Sequence, residues 1–424
     1  MAVTIQNTFN DVVALQKPLV LTASSTNTSE PKFRYVMTLD VNGVEVIKVK
    51  QQANANDYVH FDLYQILKDY LTSKNLDGGT PIHKILATVD GDDTAIFVEI
   101  NVYEEYATSA TTDPTEYPST GNATTSFIAI NTTYQFKDGV TPTLAGVYEF
   151  NNDTTEIQWL TNMPTRLKTR AGEYQTAAIL ASDFRGAVST SLRYSITFYE
   201  ADGTQISTAN ITRVTIGMAN FVATKSAVNA GVLYQFIPVG YQNLEDQSFN
   251  TSIRPSTQAN LAYYTINIFD NSGDYITKTY RFDIADCSKY TPIQLAWVNA
   301  LGAWDYYTFE LAHTEKLNIQ RETFRKPYGN WGAGATYTYS QYESGDTIYK
   351  IEADKQYTVN SDWLNDSDFE WLQELLMSKE VQFVNENGDF TPVIITDTDY
   401  EFKQDVNNKL NNLQLTFKLA HKIK

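Results

Sequence analysis

Apolar and polar positions alternate with a period of two along much of the chain, the spacing of half-buried strands. Phe33, Tyr35, Met37 and Leu39 share one face, Asn42-Gly43 follows, and alternation resumes over 44–49. An Asn-Gly between two such runs predicts a hairpin, because both residues tolerate positive φ in a type I′ turn. The runs 85–89 and 96–103 predict a second hairpin across Asp90-Gly-Asp-Asp93, and 381–384 with 393–395 a third around Gly388. Over 413–419 the alternation is clean, with Gln414, Thr416 and Lys418 facing water. Two stretches switch to helical spacing. Asp62 caps one, with Leu63, Ile66, Leu67, Tyr70 and Leu71 in its apolar stripe. The other runs from Ser367 to Met377: Ser367 and Glu370 read as a capping box, and Phe369, Leu372, Leu375 and Leu376 as the buried stripe.

This pattern predicts a mainly β protein: several antiparallel β-sandwich domains with one or two short amphipathic helices packed on sheets. Residues 1–107 form a sandwich with one helix. Residues 108–125 are Thr-, Ser- and Pro-rich with almost no aliphatic side chains, and read as a linker. Residues 126–285 form a middle sandwich region, and 286–424 an aromatic-rich β domain with the capped helix. In the middle region, Tyr194 to Ile206 and Tyr264 to Ile276 share a strand–Gly turn–strand pattern at an offset of 70 residues. Tandem modules would produce this, and so would the shared chemistry of any two hairpins. Pro164, Pro238 and Pro255 mark loops or edges, since proline cannot donate to a central ladder. Gly302, inside a run of Trp, Tyr and Phe, is expected to take a backbone angle that a larger residue resists.

Composition strengthens the β reading, with 28 Tyr and 21 Phe among 424 residues. Charged residues are only 19%, and Tyr supplies contact area at low entropy cost, as surfaces that meet neighbours require. The net charge of −18 repels phosphate backbones and anionic lipid, so neither nucleic acid nor a membrane is an expected partner. No apolar run approaches a bilayer span, and the start lacks the basic-then-apolar pattern of a signal peptide. One cysteine, Cys287, excludes a disulfide scaffold and reads as a structural thiol.

The sequence points to no catalytic residue, no metal ligand and no cofactor. His60, His83, His313 and His421 stand far apart without metal-ligand spacing. Neither a Gly-x-Ser-x-Gly elbow nor a phosphate-binding Gly-Lys-Ser/Thr loop occurs. Asp397 with Asp399, and Asp92 with Asp93, are the carboxylate pairs that a hydrolase would use. The turns 90–93 and 270–274 carry oxygen ligands suited to Ca²⁺, but neither has a twelve-residue loop pattern, and plain turns account for both. Trp304, Tyr306, Tyr328 and Trp331 suit either a carbohydrate platform or core and interface packing.

Residues 24–36 and 59–70 resemble the N-terminal segment of a family of virion structural proteins. The family belongs to tailed phages of Bacteroidetes-type hosts, crAss-like phages among them. The run from Trp297 to Phe309 is similar to the family's Trp, Asn, Leu-Gly, Trp-Asp and Phe series. Ser361-Asp-Trp-Leu364 and Lys409-Leu410 also resemble it, while the middle of the chain is the least alike. The resemblance implies a non-enzymatic subunit of a ring or collar in the tail or neck. It implies a homo-oligomer that mates with other tail or neck proteins, assembled in the host cytoplasm and located in the virion. Its interface or structural positions are Trp297, Asn299, Gly302, Trp304, Asp305, Tyr307, Phe309, Trp331, Trp363 and Trp371. The 297–309 segment would lie beneath the 367–377 helix or against the next subunit. Two other classes stay open: a host-surface or glycan-binding adhesin or decoration protein using Trp331, and a tail-borne polysaccharide depolymerase using Asp397.

Overall fold

The computed structural model describes residues 3–7, 9, 12–15, 19–73, 89–90, 94–119, 122–131, 159–180, 193–212, 234–246, 254–269, 277–285, 289–326, 345–385, 387, 389–397 and 412–421. It is mainly β, with several antiparallel sheets. The chain divides into two compact units: Met1–Asp286 with Val298–Asp305, and Cys287–Trp297 with Tyr306–Lys424.

In the first unit, β1 (Val3–Ile5), β3 (Val20–Ser25) and β6 (Tyr58–Asp62) form one sheet in the order β1-β3-β6. A larger sheet runs β2-β10-β8-β4-β5, from β2 (Val12–Ala14), β4 (Arg34–Val41), β5 (Val44–Gln51), β8 (Ala95–Tyr106) and β10 (Ala123–Ile130). The inner faces of both sheets share one core: Leu21, Val59 and Phe61 from the first, Tyr35, Met37, Leu39, Val98, Ile100 and Phe127 from the second. That makes a sandwich. Asn42 and Gly43 take φ of 51° and 82°, the positive values that the β4–β5 turn requires. After Asp62, whose Oδ1 accepts the Tyr64 N–H, α1 (Tyr64–Leu67) makes a single turn. Leu63, Leu67 and Leu71 of the expected stripe are buried, while Tyr70 is exposed.

Two sequence expectations fail here. Residues 108–125 do not separate two domains: β9 (Thr115–Glu116) pairs with β8, and β10 returns to the same sheet along eight residue pairs. Thr-rich chain lacks aliphatic side chains but fits a sheet edge, and this one is anchored by charge. Glu116 meets Lys48 and Lys50 at 2.6 and 2.8 Å, and Tyr117 stacks on Tyr106. Nor do the runs around 90–93 make the expected hairpin. β7 (Val89–Asp90) pairs with Gln235 and Phe236 in another sheet, while β8 pairs with β4, β9 and β10.

The rest of the first unit is a second pair of sheets. One runs β11-β17-β16-β13-β14, from β11 (Arg166–Thr169), β13 (Arg193–Tyr199), β14 (Gln205–Thr212), β16 (Tyr263–Phe269) and β17 (Tyr280–Ile284). The other is β12-β15-β7, from β12 (Thr176–Leu180) and β15 (Tyr234–Pro238) with β7. Ile196, Phe198, Tyr264, Ile266 and Phe282 meet Ala177, Ile179 and Ile237 in their shared core. α2 (Tyr241–Glu245) buries Leu244 there. The duplicated runs are not separate modules: β13 and β16 are antiparallel neighbours, with the matching residues Ile196 and Ile266 opposite each other. Pro164 lies in a loop, Pro238 ends β15, and Pro255 opens the 3₁₀ turn Pro255–Thr257.

The second unit is organised by the sheet β19-β18-β22-β23-β24-β21-β20. Its strands are β18 (Ile293–Val298), β19 (Trp304–Phe309), β20 (Thr314–Arg325), β21 (Asp346–Asn360), β22 (Val381–Val384), β23 (Phe390–Ile395) and β24 (Gln414–Leu419). Val298 and Trp304–Asp305, where β18 and β19 approach their connecting turn, group with the first unit. The β22–β23 pairing follows the expected third hairpin, and Leu413, Leu415 and Phe417 are buried as the final alternation requires. α3 (Asp366–Met377) starts differently from the expected capping box. Asn365 is the N-cap, its Oδ1 accepting the Asp368 N–H at 2.8 Å, and Ser367 Oγ donates to the same oxygen. Asn is as strong a cap as Ser, and it stands three residues before the N–H that it accepts. Trp371 takes the buried place expected of Leu376, alongside Phe369, Leu372 and Leu375.

Candidate functional site

Most of the sequence-predicted positions fall in two clusters, one in each unit. In the first unit the turn Val298–Asp305 is seated on polar groups. Asn299 Oδ1 accepts from the Leu301 and Ala303 N–H groups, both at 3.0 Å. Its Nδ2 donates to the Leu160 carbonyl at 2.8 Å and to Asp305 Oδ1 at 3.0 Å. Thus both lone pairs and both amide hydrogens of a fully buried Asn are satisfied. Asp305, also buried, accepts on Oδ2 from Thr161 Oγ1 at 2.9 Å, and the same Thr161 oxygen accepts the Met163 N–H. Tyr234 closes the seat, its hydroxyl donating to the Leu301 carbonyl at 3.0 Å. Burial, and then the nearby Asp305 charge, push the Tyr280 phenol up to about 12.

Gly302 has φ +81°, where L residues are strained. It also lies against backbone: a Cβ there would stand 1.9 Å from the Asn131 carbonyl oxygen and 3.1 Å from the Tyr234 hydroxyl. Asn131, Leu160, Thr161 and Tyr234 come from distant parts of the sequence, and no periodicity near residue 300 announces them.

In the second unit the indoles of Trp297 and Trp371 sit 5.2 Å apart, and the Tyr307 ring meets Trp371 edge-on at 6.1 Å and Phe309 at 4.9 Å. The 297–309 segment therefore meets the helix α3 through Trp371. Burial pushes the Tyr307 phenol far above its ordinary value, with Asp362 nearby. The positions expected to be interface or structural residues divide by burial. Trp297, Asn299, Gly302, Trp304, Asp305, Phe309 and Trp371 are buried inside the chain itself, and Tyr307 is half-buried. Trp363 alone, at 66% exposure, faces solvent among the described members, and Trp331 lies outside the described residues.

The other candidates are dispersed. Trp304 and Tyr306 are buried, which removes them from a carbohydrate platform, and Tyr328 lies outside the described residues. Asp397 Oδ2 accepts the Thr416 N–H, so this carboxylate braces β24. Asp92, Asp93, Asp399, His83, Cys287 and the turn 270–274 lie outside the described residues. His60 Nδ1 lies 3.0 Å from Thr22 Oγ1, His313 lies 3.8 Å from Glu315, and His421 is exposed. Among the described residues no group of three His, Cys, Asp or Glu is placed to hold a metal ion. Among them, too, no helix is long and apolar enough to cross a membrane.

Sequence reasoning missed two features. One is the cluster of Lys48, Lys50, Tyr103, Glu105 and Glu116. There hydrogen bonds from Lys48, Lys50 and Tyr103 hold the Glu116 carboxyl down at about 2. The other is the β20–β21 ribbon. β20 is exposed along nearly its whole length, and β21 pairs with β24 only over Gln356–Asn360. Leu317, Ile319, Ile348 and Ile351 stand out at 52, 42, 46 and 51% exposure. The brief alternation Lys316-Leu-Asn-Ile-Gln320 was the available signal for this ribbon.

No protein-family model matches the chain, and no curated protein matches it. Among solved structures it is similar to the calcium-binding domain CBD12 of CALX1.1, at 6% identity and a TM-score of 0.18, covering 67% of this chain and 100% of that one. It is also similar to extracellular cadherin domains 1–4 of protocadherin gamma B7, at 8% identity and a TM-score of 0.10, covering 83% and 71%. Likeness at these scores carries no argument about function.

Proposed function

We propose that this chain is a non-enzymatic structural subunit of a tailed-phage virion, part of a ring or collar in the tail or neck. It forms homo-oligomers, mates with other tail or neck proteins, and is assembled in the host cytoplasm. The observation that carries the reading is the Trp297–Phe309 run, which resembles the signature of the virion family. Its Asn, Gly, Trp and Asp are used for internal packing and hydrogen bonding, as in a residue set kept for architecture. The sheet-rich fold, with few charges and many tyrosines, supports the same reading. A net charge of −18 disfavours nucleic acid and membrane as partners.

The test is to raise antibodies against the purified chain and label intact particles, with the native mass of the purified protein measured alongside. Label at the tail or neck and a mass several times that of one chain are expected. A protein missing from the particles ends this reading.

A further inference from the structure

β20 is the last strand of its sheet, and among the described residues it pairs only with β21. Among the described residues, then, no strand takes up the N–H and C=O groups of its outer edge, which form a template for another strand. One face of the ribbon mixes apolar and charged side chains: Leu317 and Ile319 lie across from Lys355 and Ala353, Arg321 lies across from Ile351, and Ile348 follows further along. At its base this face continues into the core of the unit, where Tyr357 stacks on Phe417 at 5.2 Å. A two-stranded ribbon standing in water on its own is marginally stable.

The charge pattern of β20 identifies what fits that edge. The ribbon strands carry five basic and five acidic residues, so they are neutral within a chain of net charge −18. Around Asn318 the sequence is Glu315-Lys-Leu-Asn-Ile-Gln-Arg321. Two copies laid antiparallel with Asn318 opposite Asn318 place Glu315 of each opposite Arg321 of the other, Leu317 opposite Ile319, and Lys316 opposite Gln320. Opposite charges and apolar pairs directly across a ladder stabilise it, and like charges destabilise it. An edge protected by charge would set like charges opposite one another, whereas this register sets none. Glu315 already holds Lys355 of its own chain at 2.8 Å through Oε2, and Oε1 faces His313 only at 3.8 Å.

We propose that the outer edge of β20 is a self-association site, at which two copies of this chain join as a continuous antiparallel sheet about a two-fold axis at Asn318. The pairing is isologous, each copy using the same surface. It does not need the particle and holds for the free chain in solution.

Sedimentation of the full chain across concentration tests the proposal. A dimer is expected for the native sequence, weakened on the order of ten-fold or more by either Arg321→Glu or Glu315→Arg, since each substitution sets two like-charge contacts across the axis. Mixing the two variants restores unlike pairs at both ends, so recovery of a mixed dimer is expected, and it guards against a variant that merely misfolds. Asn318→Cys in a Cys287→Ser background should oxidise to a covalent dimer, because two-fold-related Cα atoms in an antiparallel pair are about 4.5–5.5 Å apart, within disulfide reach. Ile394→Cys, more exposed and on another strand, should not. A chain that stays monomeric, a dimer indifferent to Arg321→Glu, or variants that fail to recover on mixing would each overturn the proposal. A different occupant of the edge would give the first of these results. A monomer would also fall short of the native mass expected under the proposed function, whereas antibody label on intact particles is independent of all three results, so the label tells a failure of this inference from a failure of that reading.

Discussion

Two hairpins close together in the sequence invert the usual rule of inside and outside. In the turn Val298–Asp305, polar Asn299 and Asp305 are buried. In the β20–β21 ribbon, apolar Leu317, Ile319 and Ile351 are in water. The contrast teaches that completeness of partners decides burial more than polarity does. Asn299 is comfortable inside because all four of its hydrogen-bonding capacities are met. The ribbon's isoleucines stay outside because β21 joins β24 only from Gln356 onward and nothing among the described residues covers them. A local period of two is the same in both strands of such a ribbon whether or not a second layer exists to receive it.

The comparison breaks most sharply at Gly302. Gly302→Val puts a branched side chain where a Cβ already meets the Asn131 carbonyl at 1.9 Å and φ is +81°. A loss of about 3–5 kcal/mol is expected from urea unfolding. A near-neutral result would mean that the turn does not sit in this seat. Asn299→Ala should cost about 2–4 kcal/mol, because it strips partners from the Leu160 carbonyl, Asp305 and two backbone N–H groups together. Asn299→Asp keeps the two acceptor contacts but turns a second carboxylate oxygen on Asp305 and the Leu160 carbonyl, so at neutral pH it should cost at least as much as Ala.

Smaller effects are expected at the surface. Glu116→Gln should cost up to about 1 kcal/mol, as befits a partly exposed ion-pair cluster. Its folded carboxyl titrates at about 2 against an ordinary 4.5, so its stabilisation is present above pH 4.5 and is lost as pH falls toward 2. In the Gln variant the unfolding midpoint should fall less steeply across that window. Ile351→Thr, on the exposed face of the ribbon, should change stability by no more than about 0.5 kcal/mol. A loss as large as that of Asn299→Ala would show that this face of the ribbon is covered after all.

What the sequence made legible was local. Asn42-Gly43, the alternation over 413–419 and the positive φ of Gly302 follow from the chemistry of adjacent residues. The cap of α3 was misread by two residues, because both Asn365 and Ser367 suit that position and only the backbone shows which carbonyl begins the ladder. The supposed linker failed for a longer-range reason: Glu116 gains its anchor from Lys48 and Lys50, which alternation near 116 does not reveal. The seat of the 298–305 turn was illegible in the same way, being gathered from Asn131, Leu160, Thr161 and Tyr234.

That seat bears on how the polypeptide matures. The first unit recruits Val298–Asp305 after the chain has already left it at Asp286. A ribosome must therefore deliver more than three hundred residues before the pocket around Asn131 and Thr161 receives its occupant. Until then the groups that seat this turn lack their partner, and the late arrival of a few residues fixes the moment at which the first unit can be completed.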